Sequence, residues 1–263
     1  DAVRRGMTKA ELQARHHHVL GLRDINISIP PGAIQVVMGL SGSGKSTLIR
    51  HINRLIDPTA GQIVIEGQDV VQMTPQALRD FRRHKTAMVF QKFGLLPHRT
   101  VLDNVAYGRI VGGEPAAVAR RKAAEFIGVV GLTGFESHLP SQLSGGMQQR
   151  ASIARALAFD AEILLMDEPF GALDEIVRDR LNEALLALWA KTGKTIGFVT
   201  HSIPEAVYLS TRIVVMSPRP GRITDVIDSP LPRERPLEVR DSAAFIEIAH
   251  RVREGLRAGH SYD

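Results

Sequence analysis

Residues Gly39-Leu40-Ser41-Gly42-Ser43-Gly44-Lys45-Ser46-Thr47 constrain this chain more than any other stretch. An apolar run at 34–38 enters it, bounded by glycines as a buried strand is, and a helical pattern leaves it from Leu48 onward. A glycine-rich crossing from strand to helix is an anion cradle: small residues let backbone N–H groups close around phosphate oxygens, and the helix dipole adds positive potential. Gly39, Gly44, Lys45 and Ser46 fill the pattern G-x-x-x-x-G-K-[ST] without a gap. In that pattern Lys45 reaches the terminal phosphates as a mobile point charge, and the Ser46 hydroxyl is a ligand for Mg²⁺. A flexible Gly/Ser linker would not have apolar residues pressed against both of its ends.

The rest of the composition sets bounds. With 263 residues, 44% of them hydrophobic and 23% charged, the chain is long enough to bury a sizeable core, as one large domain or one with an insert. No apolar run approaches the ~20 residues needed to span a bilayer, so work at a membrane implies docking by a partner. The absence of cysteine excludes disulfides, iron–sulfur clusters and thiolate zinc sites. The opening Asp1-Ala2-Val3-Arg4-Arg5 is charged and lacks a signal-peptide core, so a cytoplasmic location is expected. A net charge of +5 and a pI near 9.8 raise the question of nucleic acid. The basic residues are spread along the chain and only 5% of residues are aromatic, so a solvated basic face is expected and nucleic acid is not.

Along the chain, 19–29 alternates imperfectly and predicts a strand ending in the Pro30-Pro31-Gly32 turn. His16, His17 and His18 then form a partly exposed strand entry, since three consecutive side chains of a strand cannot all face one ion. A strand at 62–66 ends at Gly67, and Thr74-Pro75 opens a helix. A strand at 86–90 stops at Gln91, and 92–156 is a helical insert containing a helix near 114–130. Strands return at 162–166, 195–200 and 212–216, separated by an amphipathic helix at 175–190; a second amphipathic helix is expected at 243–256. Strands alternating with helices predict an α/β fold with a largely parallel sheet and ligands at the strand C-terminal ends.

Ile163-Leu164-Leu165-Met166-Asp167-Glu168 is a buried strand ending in two carboxylates at that ligand edge. Asp167 is placed to hold Mg²⁺, and Glu168 to polarise a water for attack on a γ-phosphate. Leu143-Ser144-Gly145-Gly146-Met147-Gln148-Gln149-Arg150 supplies a second helix start with a capping serine and two glycines, another anion site. One nucleotide does not need two such sites in one chain; two chains facing head to tail would bring this one onto phosphates held by the other.

Together the phosphate loop, Gln91, residues 143–148, 163–168, the Gly171-Ala172-Leu173-Asp174 turn and His201 resemble the nucleotide-binding subunit of ATP-binding cassette (ABC) transporters in order and spacing, over residues 16–216. The resemblance implies a P-loop NTPase (RecA-like) fold: a mostly parallel core at about 1–91 and 157–220, an antiparallel β subdomain, an inserted helical subdomain at about 92–156 and a short tail at 221–263. It implies that Gly39, Leu40, Ser41, Gly42, Ser43, Gly44, Lys45, Ser46 and Thr47 bind the phosphates of ATP, and that Ser46, Gln91 and Asp167 surround Mg²⁺. Lys45, Glu168 and His201 would be catalytic, Glu168 as general base and His201 as sensor of the γ-phosphate. Ser144, Gly145, Gly146 and Gln148 would close on the ATP of a second copy, with Asp174 in the turn between the two sites. Family members set an aromatic ring against the adenine early in the chain. No Phe, Tyr or Trp precedes Phe81 here, and His16 lies at the expected place, with His17 or His18 as substitutes.

A motor without a fused membrane domain resembles bacterial importers, in which two such subunits drive transmembrane permease subunits fed by a substrate-binding protein, peripheral on the inner face of the membrane. Residues 38–59, 87–91, Leu96-Pro97-His98 and 100–104 look like the glycine betaine/proline/choline subfamily, and the segment 92–107 would press on the permease. Met216-Ser217-Pro218-Arg219-Pro220-Gly221-Arg222-Ile223 is instead similar to nitrate/sulfonate/taurine importers. The residues after 216 fall short of a regulatory domain pair, so none is expected. A DNA-repair relative would need a coiled coil between Gln91 and Ser144, a translation factor two cassettes, and a small-molecule kinase no second anion site; none of these fits.

Overall fold

The computed structural model describes residue 7, residues 9–218 and residues 220–259. The charged opening at 1–5, and Arg219 within the stretch that resembles nitrate importers, lie outside the described residues. A six-stranded sheet forms the centre, in the order β4-β5-β6-β1-β7-β8, where β1 is Ile34–Gly39, β4 Thr86–Val89, β5 Ile163–Asp167, β6 Thr195–Val199, β7 Arg212–Ser217 and β8 Arg222–Asp228. The first five strands in that order are mutually parallel, and β8 pairs antiparallel with β7.

Parallel strands covered on both faces need apolar residues at successive positions, which is why 34–38 and 163–166 carry unbroken runs. Ile34, Val36 and Met38 of β1 join the larger core with Leu164, Met166, Ile196 and Phe198. Val37 faces the opposite way, into a smaller cluster with Ile49, Leu165, Val199 and Val214. Ile49 belongs to α2, Lys45–Ile52, so the helix that follows the glycine-rich loop caps this second face. The parallel strands thus end at one edge, and Gly39, Gln91, Asp167 and His201 all follow from those ends.

Residues 19–29 correct the expected strand. Apart from one bridge between Leu22 and Gly221 they are not strand among the described residues. Asp24 has φ 54, outside the β region, and that breaks the ladder. The alternation survives as packing, because Leu22, Ile25 and Ile27 lie against the smaller cluster. His16 closes α1, Lys9–His16, instead of entering a strand, and is exposed. The antiparallel β part away from the main sheet is a hairpin of β2, Val64–Ile65, and β3, Gln68–Asp69. Glu66 (φ 50) and Gly67 (φ 79) give its two-residue turn the positive φ pair that right-twisted hairpins favour.

Thr74 caps α3, Pro75–His84. The helical insert is α4, Val101–Val111, α5, Ala116–Val129, and α6, Gly145–Ala158, packed on one another. Ala119, Ala123 and Ile127, spaced by four, form the buried stripe of α5. Asn104 of α4 is fully buried: its Oδ1 accepts from Leu96 N at 2.8 Å, and its Nδ2 lies within hydrogen-bond distance of the Leu96, Arg99 and Thr100 carbonyls. Beyond the insert run α7, Glu175–Thr192, and α8, Ile203–Leu209.

The residues assigned to a tail contribute to the core. β8 completes the sheet, and α9, Ala243–Ala258, packs on α8, β7 and β8 with Phe245, Ile248 and Val252 buried. Between them the Arg233 guanidinium stacks over Trp189 at 4.6 Å, and a 3₁₀ turn at Leu237–Asp241 docks on α8.

Candidate functional site

The loop at 39–44 is shaped by close approach. A Cβ at Gly39 would stand 2.8 Å from the Met216 carbonyl and collide with the Ser43 hydroxyl, so only glycine fits. Lys45 Nζ donates to the carbonyls of Gly39 (2.7 Å) and Leu40 (3.1 Å), spanning the loop it closes. Burial holds the Lys45 ammonium pKa below its ordinary value, and the nearby Glu168 and Asp167 carboxylates act against that shift. The side chain is buried within the loop, placed to meet a dense anion.

Asp167 ends β5 with no exposed surface. Ser46 Oγ donates to its Oδ1 at 2.7 Å and Arg50 Nη2 to its Oδ2 at 2.8 Å. Ser46 and Arg50 are one helical turn apart on α2, so a single face of that helix grips the carboxylate. Glu168 turns the other way. Its φ of 49 lies in the left-handed region, and its N–H donates to the Val199 carbonyl at 3.0 Å, fixing the reversal. Its Oε2 accepts from Gln91 Nε2 at 3.0 Å and lies 3.7 Å from His201 Nδ1. Two adjacent carboxylates are thereby sent to different tasks: one to the helix, one to the open edge between Gln91 and His201.

The residues fit a magnesium nucleotide. α2 begins at Gly44 with no side-chain cap, as α5 does at Pro115, whereas Thr74, Thr100, Ser144, Asp174, Ser202 and Ser242 each cap their own helix. Of these two uncapped starts, that of α2 follows the glycine-rich loop at the C-terminal end of β1, where its first-turn N–H groups would be satisfied by an anion. A hydroxyl, a carboxylate and a carboxamide, from Ser46, Asp167 and Gln91, make the hard oxygen set that Mg²⁺ prefers.

A second group gathers elsewhere. Ser144 Oγ accepts from Met147 N at 3.3 Å, Gln148 Nε2 donates to the Leu143 carbonyl at 3.2 Å, and Asp174 Oδ1 accepts from Val177 N at 3.0 Å. Gly146 lies beside Ala172 and Leu173, so the helix start and the 171–174 turn share one surface, on which Ser144, Gly145 and Asp174 are exposed. No hydrogen bond among the described residues joins this group to Lys45 or Ser46; the turn reaches Glu168 through Gly171, whose N–H donates to the Glu168 carbonyl at 3.3 Å. His16 stands at the exposed end of α1, and Gly21 and Leu22 lie against Gly44.

Two residues of the site escaped the sequence reading. Arg50 was discoverable from its one-turn spacing to Ser46. Gly221 was not: its N–H donates to the Gly21 carbonyl at 2.8 Å, its carbonyl accepts from Arg23 N at 2.9 Å, and its Cα faces the Ser43 backbone.

The family profile described as "ABC transporter" matches residues 22–171. The chain belongs to the ABC transporter ATP-binding family. This cassette is 48% identical to the glycine betaine transport ATP-binding protein OpuAA of Bacillus subtilis, over 84% of its own length and 52% of that protein. It is 45% identical to the glycine betaine/proline betaine transport system ATP-binding protein ProV of Escherichia coli, over 81% of its own length and 54% of that protein. The cassette thus spans about half the length of these two relatives. It is 46% identical to the uncharacterized ABC transporter ATP-binding protein MJ0412 of Methanocaldococcus jannaschii, over 90% of its own length and 84% of that protein. Among solved structures, the dimeric MJ0796 cassette superposes with a TM-score of 0.75 at 36% identity, over 79% of this chain and 90% of that one. A post-hydrolysis MJ0796 dimer bound to ADP and Pi gives 0.74 at the same identity and coverage.

Proposed function

We propose that the cassette binds and hydrolyses ATP as the motor subunit of an importer for small methylated-amine solutes of the glycine betaine class. The observation that carries the hydrolytic reading is the divergence of Asp167 and Glu168. Asp167 is committed to Ser46 and Arg50, which leaves Glu168 between Gln91 and His201 as the carboxylate free to take a proton.

In this reading Lys45 and the loop N–H groups hold the β- and γ-phosphates, and Ser46, Gln91 and Asp167 hold Mg²⁺, which neutralises phosphate charge when bound. Glu168 accepts a proton from a water as its oxygen bonds to the γ-phosphorus; the bond from that phosphorus to the bridging oxygen breaks, leaving ADP and inorganic phosphate. His201 orients the γ-phosphate and water. Ser144, Gly145, Gly146 and Gln148 complete the site of a second copy, and Asp174 stands where the two sites meet. Their separation from Lys45 within one chain, and the dimeric cassettes among similar structures, favour that arrangement. The cassette then works at the cytoplasmic face of the membrane, gripping permease subunits through the segment 92–107 and reached indirectly by a substrate-binding protein.

Relatives named for glycine betaine, proline betaine and trimethylamine N-oxide transport favour methylated amines over nitrate or taurine. Glu168→Gln is expected to keep ATP-dependent dimerisation, seen by size exclusion, while turnover falls at least ~100-fold. Undiminished turnover removes Glu168 from the base role. In vesicles holding the cassette with its permease and binding protein, betaine should stimulate ATPase activity; stimulation by taurine or nitrate alone would reassign the solute.

A further inference from the structure

Among the described residues two carboxylates are buried, Asp167 and Glu205. Asp167 is paired on both oxygens, and Glu205 is not. It sits in the first turn of α8 at 4% exposure, its N–H donates to Ser202 Oγ at 3.4 Å, and its side chain turns inward to the Thr200 hydroxyl. That inward turn leaves unmade the reverse half of the capping box that Ser202-x-x-Glu205 spells. Thr200 Oγ1 in turn accepts from Ser202 N at 3.0 Å. His201 is therefore the middle residue of a ring of bonds closed by Thr200, Ser202 and Glu205.

Arg178, on α7, comes from the opposite side. Its Nη2 donates to the Leu173 carbonyl at 3.1 Å, inside the 171–174 turn. Its Nε and Glu205 Oε1 are both buried without a hydrogen-bond partner among the described residues, a donor and an acceptor in one region. The neighbouring cation Arg240 gives two bonds to Asp179 at 3.0 and 2.6 Å, and its Nε is likewise buried without a hydrogen-bond partner among the described residues. Burial raises the Glu205 pKa, while Thr200 and the positive charges of Arg178, His201 and Arg240 act to lower it. Carrying a carboxylate into a core is costly, and packing alone would be served as well by an apolar residue.

We propose that Glu205 is a positioning residue that aims His201 through Thr200 and, through Arg178, links it to the Gly171–Asp174 turn. This rests on the roles given above to His201 and to that turn. A second copy pressing on the turn would then reach His201 by a route that does not pass through Glu168.

The test uses the full chain with Glu205→Gln, Arg178→Met and the pair combined, measuring kcat, KM for ATP and melting temperature. Each single variant is expected to lose ~10-fold in kcat with KM within about twofold and melting little changed, and the pair to be no worse than either alone. Wild-type kcat in a folded Glu205→Gln, or losses that multiply in the pair, overturns the proposal. If Glu205→Gln does not fold, Thr200→Val preserves volume and removes the hydroxyl; it should show the same kcat loss, and wild-type turnover there overturns the proposal equally. His201→Ala separates the two levels. Full turnover in it removes the underlying reading and the proposal together, whereas inactivity beside an unimpaired Glu205→Gln removes the positioning role alone.

Discussion

At Gly221 a side chain is absent because the backbone of Ser43 occupies its place. A methyl there would push the β7–β8 turn and the phosphate loop apart, and the hydrogen bonds that tie Gly221 to Gly21 and Arg23 leave the turn no room to retreat. Gly221→Ala is therefore expected to weaken ATP binding by about tenfold, ~1.4 kcal/mol, with the fold retained, as measured by nucleotide titration. The contrast with Lys45 and Ser46 shows what a sequence exposes at this scale. The pattern that marks them lies within one loop, so spacing alone betrays it. Gly221 is needed because of a contact made by a distant segment, and nothing local marks it. The arrangement of Glu168 is intermediate: two acids at a strand end are visible, but the positive φ that parts them is not.

Elements were legible where periodicity and burial agree. β1, β5, β6 and β7 carry apolar runs, with glycine ending β1, an acid ending β5 and His201 just past β6, and Thr74 and Ser144 cap the helices they announce. Residues 19–29 failed for a physical reason: alternation reports which side chains face a core, not whether the backbone has a neighbour to pair with. β8 was passed over because its Arg222, Asp225 and Asp228 resemble a polar loop, although these three and Ile223, Val226 and Ile227 all pair with β7. Asn104 is the element-scale counterpart of a keystone, filling the place where the 96–100 loop turns into α4. Asn104→Ala should destabilise the chain by about 3 kcal/mol through unsatisfied buried carbonyls and an N–H, read from the denaturant midpoint.

Across the whole molecule the segment after β7 is structural. Phe245, Ile248 and Val252 at three- and four-residue spacing bury one face of α9, and Gly255 faces Val215 of β7. Phe245→Ala is expected to cost ~3–5 kcal/mol in chemical denaturation while leaving ATP affinity little altered, the reverse of the Gly221→Ala signature. Helix and strand here share a set of charges as well: Arg251 of α9 forms two bonds to Asp225 of β8, and Arg212 of β7 reaches Asp228.

Those charges lie along the outermost strand, where a sheet would otherwise offer its unpaired backbone to any chain that drifts past. An antiparallel strand studded with Arg and Asp is a poor template for fibre growth, so copies at high concentration are turned away from irreversible strand-to-strand stacking at this edge.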